Sequence, residues 1–68
     1  MNKKLLRSIM ALHGYTNRDV AELLGITEQS VSSKINERDT EFKQSEITKM
    51  KAVWNLTPEE VDSIFFAK

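Results

Sequence analysis

The sequence predicts an all-α domain of five short helices, and three observations support this fold class. Apolar residues recur at spacings of three and four along most of the chain, which is the period of an amphipathic helix. Residues that begin or end helices, mainly threonine and glycine, flank these apolar stretches. No stretch shows the alternation of a strand, an internal repeat or a linker, so the 68 residues are predicted to form a single domain.

The first helix is predicted over residues 3–13. Its apolar stripe consists of Leu5, Leu6, Ile9, Met10 and Leu12. Gly14 ends the helix because glycine readily adopts the left-handed backbone that closes a helix. Lys3 and Lys4 oppose the helix dipole in the first turn, which suggests an anion nearby, although ordinary solvated lysines explain them as well.

Residues 17–36, NRDVAELLGITEQSVSSKIN, predict two helices joined by a three-residue turn at Gly25. Gly25 supplies the left-handed backbone of the turn, and the small side chain of Ala21 lets the two helices approach closely. The apolar wedge between the helices consists of Val20, Leu24, Ile26, Val31 and Ile35. The outward face of the second of these helices is almost wholly polar and uncharged, which is the layout of a helix-turn-helix.

Threonine side chains predict where the second, third and fifth helices begin. Thr16 caps the second helix with Asp19 three residues later, and Thr27 caps the third. The fifth helix begins at a full capping box with proline at the first helical position, formed by Thr57, Pro58, Glu59 and Glu60.

A polar loop, residues 37–44, follows the third helix, and Phe42 is predicted to anchor it to the core. Ser45 is predicted to open the fourth helix. Its inner side is predicted to carry Ile47, Met50, Val53 and Trp54. In the fifth helix Val61, Ile64 and Phe65 are predicted to face inward, and the predicted surface for self-association consists of Phe65, Phe66 and Ala67.

Projection of residues 28–36 at about 100° per residue places a hydrogen-bonding set on the outward face and its flanks. This set consists of Glu28, Gln29, Ser30, Ser32, Ser33 and Asn36. In a DNA major groove the amide of Gln29 can pair with an adenine edge, whereas serine hydroxyls specify little. Glu28 suits the positive end of the helix dipole, and it could also accept a hydrogen bond from a cytosine amine.

The pattern of residues 17–36, with Ala21, Gly25 and the apolar wedge, resembles the DNA-binding unit of the Cro and lambda-repressor family of phage and bacterial regulators, and the resemblance covers nearly the whole chain. It implies a compact five-helix lambda-repressor-like domain with residues 28–36 as the recognition helix. The implied function is that of a small phage or prophage transcriptional regulator of the switch between lysis and lysogeny, acting on double-stranded operator DNA in the cytoplasm of a bacterial host. A domain of this size covers one half-site, so we expect a homodimer. The residues that the resemblance places near phosphates are Asn17, Arg18, Lys34, Arg38 and Lys43.

Two features depart from the family pattern. Lys34 stands three residues after Val31, where the family most often has an apolar residue, and the apolar anchor moves to Ile35. The loop over residues 37–43 is commonly basic in the family. Here it carries Glu37, Asp39 and Glu41 against Arg38 and Lys43.

The charge balance leaves a second function open. The chain has ten basic and ten acidic residues, whereas many DNA-binding domains carry a positive excess. Residues 1–34 hold five basic and three acidic residues, so any excess is confined to the first half. The same scaffold suits an antirepressor or modulator of repression that binds a phage repressor protein through the helix-turn-helix face.

No catalytic, metal or cofactor site is expected. The absence of cysteine rules out disulfides and thiolate metal sites and favours an intracellular location. The single histidine, His13, suits the end of a helix, and the pair of carboxylates Glu59 and Glu60 is explained by the capping box. No apolar run approaches the roughly 18 residues of a membrane span, and the N-terminal segment is a poor signal peptide.

Overall fold

The computed structural model describes residues 1–66, and this part of the chain forms five α-helices with no strand. The helices are α1 (Lys3–Leu12), α2 (Asn17–Leu24), α3 (Glu28–Ile35), α4 (Gln44–Val53) and α5 (Pro58–Phe65). The predicted all-α class is confirmed for these residues. Ala67, which was predicted to belong to an apolar surface, lies outside the described residues.

The predicted threonine caps are present at the starts of α2, α3 and α5. Oγ1 of Thr16 accepts a hydrogen bond from the backbone N–H of Asp19 at 3.2 Å, and the Asp19 carboxylate accepts the N–H of Thr16 at 2.9 Å. Thr57 and Glu60 form the same reciprocal pair, with distances of 3.1 and 2.9 Å. Oγ1 of Thr27 caps α3. These side chains satisfy N–H groups that have no partner inside the helix.

Four helices end at a residue with left-handed backbone. These residues are Gly14, Gly25, Glu37 and Asn55, with φ values of 69°, 70°, 54° and 51°. The turn after α3 is a Schellman motif, in which the N–H of Arg38 donates to the carbonyl of Ser33 at 2.9 Å. The positions predicted for the two glycines are confirmed. Glu37 adopts the same conformation without the freedom that glycine has there.

The core lies where α2 packs against α3 and where α4 contacts both α2 and α5, while α1 packs on α5. The side chains with the least exposure are Leu6, Val20, Val31, Ile35, Met50 and Ile64. Ala21 is buried as predicted, and Ile26 is only partly buried. Phe42 is buried, so the predicted anchor of the loop is confirmed.

Two apolar residues that were predicted to face inward are exposed. The buried side of α1 is centred on Leu6 and Met10, and Leu12 lies about 120° around the helix from Leu6. Leu12 is therefore 76% exposed. Val53 is 42% exposed because it stands at the edge of the buried side of α4, which is formed by Ile47, Met50 and Trp54.

Helix α4 begins at Gln44, one residue before the predicted start at Ser45. Lys43 occupies the capping position, and its backbone N–H donates to Oε1 of Glu46 at 2.8 Å. The start of α4 is thus determined by an acid in its first turn and not by a serine cap.

Candidate functional site

The outward face of α3 is most accessible at its N-terminal end. Glu28 and Gln29 are exposed. The other four members of the predicted hydrogen-bonding set are partly buried, namely Ser30, Ser32, Ser33 and Asn36. The two side chains with the most freedom to contact a ligand are therefore the first two of the helix.

Ser30 and Asn36 already make hydrogen bonds within the protein. Oγ of Ser30 accepts from the hydroxyl of Thr27 at 2.9 Å. Asn36 lies at the C-cap of α3, where Nδ2 donates to the carbonyl of Ser32 at 2.9 Å and Oδ1 accepts from Nζ of Lys3 at 3.4 Å. Helix α3 therefore ends one residue earlier than the predicted recognition helix, and Lys3 of α1 lies beside its end.

A shallow, open depression combines α3 with the loop that follows it. It is lined by Thr27, Gln29, Ser30, Ser33, Lys34, Arg38 and Thr40. Three of the predicted hydrogen-bonding residues therefore lie near Arg38, a predicted phosphate contact. Thr40 was not predicted, because a threonine in an irregular loop has no periodic signal that would place it beside a helix. We call this surface the α3 depression.

Lys34 does not have the predicted role of a phosphate contact. Its side chain is buried, and Nζ lies 2.7 Å from Oε1 of Glu46 and 6.0 Å from the ring centroid of Phe42. Lys34 faces the core because it follows the buried Val31 by three residues, which is nearly one helical turn. A buried ammonium with its own carboxylate is not available to a phosphate, so we remove Lys34 from the candidate cations.

Glu46 is charged at neutral pH in spite of its burial. Desolvation, the largest influence, raises the pKa of its carboxyl group. Hydrogen bonds from Lys34 and from the backbone of Lys43, together with the positive charges of these two lysines, outweigh desolvation and hold the pKa below its ordinary value of 4.5. The carboxylate therefore remains a permanent partner for the buried lysine.

The other candidate phosphate contacts are distributed over three places. Arg18 is exposed near the start of α2, where Nε lies 3.5 Å from Oε1 of Glu22. An exposed pair of this kind is worth roughly 0–1 kcal/mol, so Arg18 can exchange its partner for a phosphate. Asn17 is the partly buried first residue of α2. Arg38 lines the α3 depression, whereas Lys43 lines a different groove.

The acidic residues of the loop are not equivalent. Oε1 of Glu37 lies 3.2 Å from the amino group of Met1, which offsets its charge. Asp39 and Glu41 are exposed, and within residues 1–66 their side chains make no ion pair. The loop that follows α3 therefore carries two carboxylates that have no ion-pair partner among the described residues.

The model of a family described as "Protein of unknown function (DUF739)" matches residues 2–68. The chain belongs to this family. No curated protein and no solved structure matches it.

Two further findings concern the part of the chain that the structure describes. It has no helix that is long and apolar enough to cross a membrane. It also has no group of three or more histidine, cysteine, aspartate or glutamate side chains arranged to hold a metal ion.

Proposed function

We propose that the chain is a phage-type transcriptional regulator that binds double-stranded operator DNA through a helix-turn-helix formed by α2 and α3. The observation that carries this proposal is the polar outer face of α3. It presents Glu28 and Gln29 to solvent while Val31 and Ile35 hold the opposite side in the core. The left-handed Gly25 and the buried Ala21 support the motif, because they allow the two helices to pack closely.

In this proposal α3 lies in the major groove and Gln29 selects a base. Its Nε2 can donate to N7 of adenine while its Oε1 accepts from the N6 amine, and this bidentate contact distinguishes adenine from the other bases. Ser30 and Ser33 line the same depression and add hydrogen bonds of low specificity. Glu28 stands at the first position of α3, where it disfavours nearby phosphates and can accept from cytosine.

The phosphate contacts in this proposal come from Arg38, Arg18 and Lys3. Arg38 lines the α3 depression, and Lys3 lies beside the C-cap of α3. Three such contacts correspond to a slope of log affinity against log salt of about −3, since each neutralised phosphate contributes about −0.9. Burial of Lys34 makes this slope shallower than the sequence alone suggests.

The second candidate function is an antirepressor that uses the same face to bind a phage repressor protein. The observation that favours it is a pair of exposed carboxylates, Asp39 and Glu41, in the loop that follows α3, which have no ion-pair partner within residues 1–66. A repressor carries basic residues where it binds DNA, and an acidic surface steers association with such a partner.

Selection of sites from a random DNA duplex pool, followed by titration of the selected duplex, tests the proposal. Gln29→Ala is expected to cost about 1–3 kcal/mol of binding free energy on the selected duplex and to relax the choice of one base. Arg18→Ala should weaken binding to selected and random duplexes alike and reduce the salt slope by about one. If no sequence is enriched and the chain binds a purified repressor instead, the antirepressor function replaces the proposal.

A further inference from the structure

A second and larger groove lies next to the α3 depression, and Lys34 and Thr40 line both. We call it the aromatic groove. Its apolar side is formed by Phe42, Ile47, Phe65 and Phe66. Its polar rim is the loop that connects α3 to α4, including Glu37, Asp39 and Glu41. The base contacts proposed for α3 lie in the α3 depression and not in this groove.

The apolar side presents aromatic surface to solvent. Phe66 is 53% exposed, and Phe65 is partly buried with its ring edge-on to that of Phe42 at 5.9 Å. Burial of exposed aromatic surface is favourable, since each Å² of apolar surface removed from water contributes to binding. The groove therefore offers an anchoring surface for an apolar side chain.

The rim adds a negative charge to this anchor. The carboxylate of Glu37 forms an ion pair with the amino group of Met1, and the ammonium of Lys34 forms one with Glu46. The rim charges without an ion-pair partner within residues 1–66 are the carboxylates of Asp39 and Glu41 and the ammonium of Lys43. Among the described residues of the rim, the two carboxylates without an ion-pair partner thus outnumber the one such ammonium.

We propose that the aromatic groove binds a basic amphipathic segment of a partner protein. Apolar side chains of this segment would pack on Phe65 and Phe66, and its lysines or arginines would pair with Asp39 and Glu41. A second copy of the chain suits the groove less well. In a two-fold interface the same patch meets itself, so one acidic rim would face another.

The rim is held in place before any partner binds. Oε1 of Glu46 accepts hydrogen bonds from Nζ of Lys34 at 2.7 Å and from the backbone N–H of Lys43 at 2.8 Å. A single carboxylate oxygen therefore ties both ends of the loop that carries Asp39 and Glu41. A preformed rim lowers the entropic cost of binding.

The test uses the full chain and two synthetic helical peptides. The probe has leucines along one face and lysines on the other, and the control has glutamates in place of the lysines. We expect the lysine peptide to bind and to shift backbone amide resonances around Phe66, Asp39 and Ile47 in a heteronuclear NMR titration. Asp39→Asn with Glu41→Gln, and separately Phe66→Ser, should each weaken binding by roughly tenfold.

Matched variants separate the groove from general effects of charge and apolarity. Glu59→Gln with Asp62→Asn removes the same charge from exposed positions of α5, and Leu12→Ala removes exposed apolar surface from α1. Neither of these control variants should change the affinity for the lysine peptide.

Equal binding of the two peptides, equal losses in the matched variants, or resonance shifts confined to α3 would overturn the proposal. Self-association that sedimentation detects and Phe66→Ser abolishes would assign the groove to a second copy. The test contains no DNA, so its outcome is independent of the proposed DNA binding.

Discussion

Nζ of Lys34 and Oε1 of Glu46 form a buried ion pair at 2.7 Å, and the two side chains are only 8% and 7% exposed. The pair joins the last turn of α3 to the first turn of α4. The same oxygen of Glu46 accepts the backbone N–H of Lys43, so one atom holds both ends of the connecting loop. Because that loop separates the α3 depression from the aromatic groove, the shape of both surfaces depends on this pair.

Glu46→Ala should destabilise the protein by about 3–5 kcal/mol, because it leaves the ammonium of Lys34 buried without a partner. The double variant Lys34→Met with Glu46→Leu should lose much less, since it removes both charges and keeps apolar volume in the core. Urea unfolding measures both. The control is Glu22→Ala, which breaks an exposed pair with Arg18 and should change the free energy of unfolding by less than about 1 kcal/mol. A loss in Glu46→Ala no larger than in this control would show that the buried pair contributes nothing.

Stability should fall in acid as Glu46 becomes protonated. The pKa of Glu46 in the folded protein lies below its ordinary value of 4.5, so the folded state binds the proton less tightly than the unfolded chain does. The stabilisation from this group is therefore complete above about pH 4.5 and is lost as the pH falls through the lower, folded-state pKa. Thermal melts across the acid range measure this dependence.

Asp19 contributes to the same dependence, because hydrogen bonds from the backbone and then the side chain of Thr16 lower its pKa below 3.8. Glu46→Gln should be less stable than the parent at neutral pH and should show a shallower loss in acid. Asp19→Asn should remove a smaller part of the acid dependence, because Asp19 is much more accessible to solvent than Glu46. A parent and a Glu46→Gln variant with parallel pH profiles would contradict the assignment.

Gly25→Ala should cost about 1–2 kcal/mol through backbone strain alone. The φ of Gly25 is +70°, but a Cβ atom there would meet no heavy atom within 4 Å, so no steric clash adds to the cost. Thermal unfolding should show a decrease of roughly 4–8 °C for each kcal/mol. Gly14→Ala is the matched control, because Gly14 has a φ of +69° and equally open space. Both variants should lose similar stability, and a much larger loss at Gly25 would indicate packing that the open space does not predict.

Much of the fold could be predicted because the relevant signals are local. The caps at Thr16, Thr27 and Thr57 and the turns at Gly14 and Gly25 depend on residues within a few positions of each other. The left-handed Glu37 could not be predicted in this way. The position itself holds neither glycine nor asparagine, and its conformation is that of the turn in which the N–H groups of Glu37 and Arg38 donate to carbonyls of α3.

The candidate site was harder to predict because it depends on the rotation of each helix and on contacts between distant residues. The apolar periodicity of a helix predicts which residues form the apolar stripe, but not which of them lie at its centre. Leu12 was therefore predicted to face inward, whereas it is exposed. A lysine is normally expected at the surface, so Lys34 was predicted to contact a phosphate. Its true partner, Glu46, is twelve residues away in another helix, and no local pattern connects the two.

The double variant Asp39→Asn with Glu41→Gln should have opposite effects on the two proposed ligands. On the selected DNA duplex it should raise affinity and make the salt dependence steeper, because it removes two repulsive charges near phosphates. On the lysine peptide it should lower affinity, because the same charges attract the peptide. Glu37 is left unchanged, since it pairs with the amino group of Met1 and its replacement would also alter that contact.

Titrations of both ligands at two salt concentrations measure these effects, with the Glu59→Gln, Asp62→Asn variant as the control of equal net charge. If the rim variant and this control change DNA affinity equally, the effect comes from net charge and not from the position of the loop. Weaker DNA binding in the rim variant would contradict the placement of the loop near phosphates. Unchanged peptide binding would remove Asp39 and Glu41 from the partner surface and leave the aromatic groove without its charge preference.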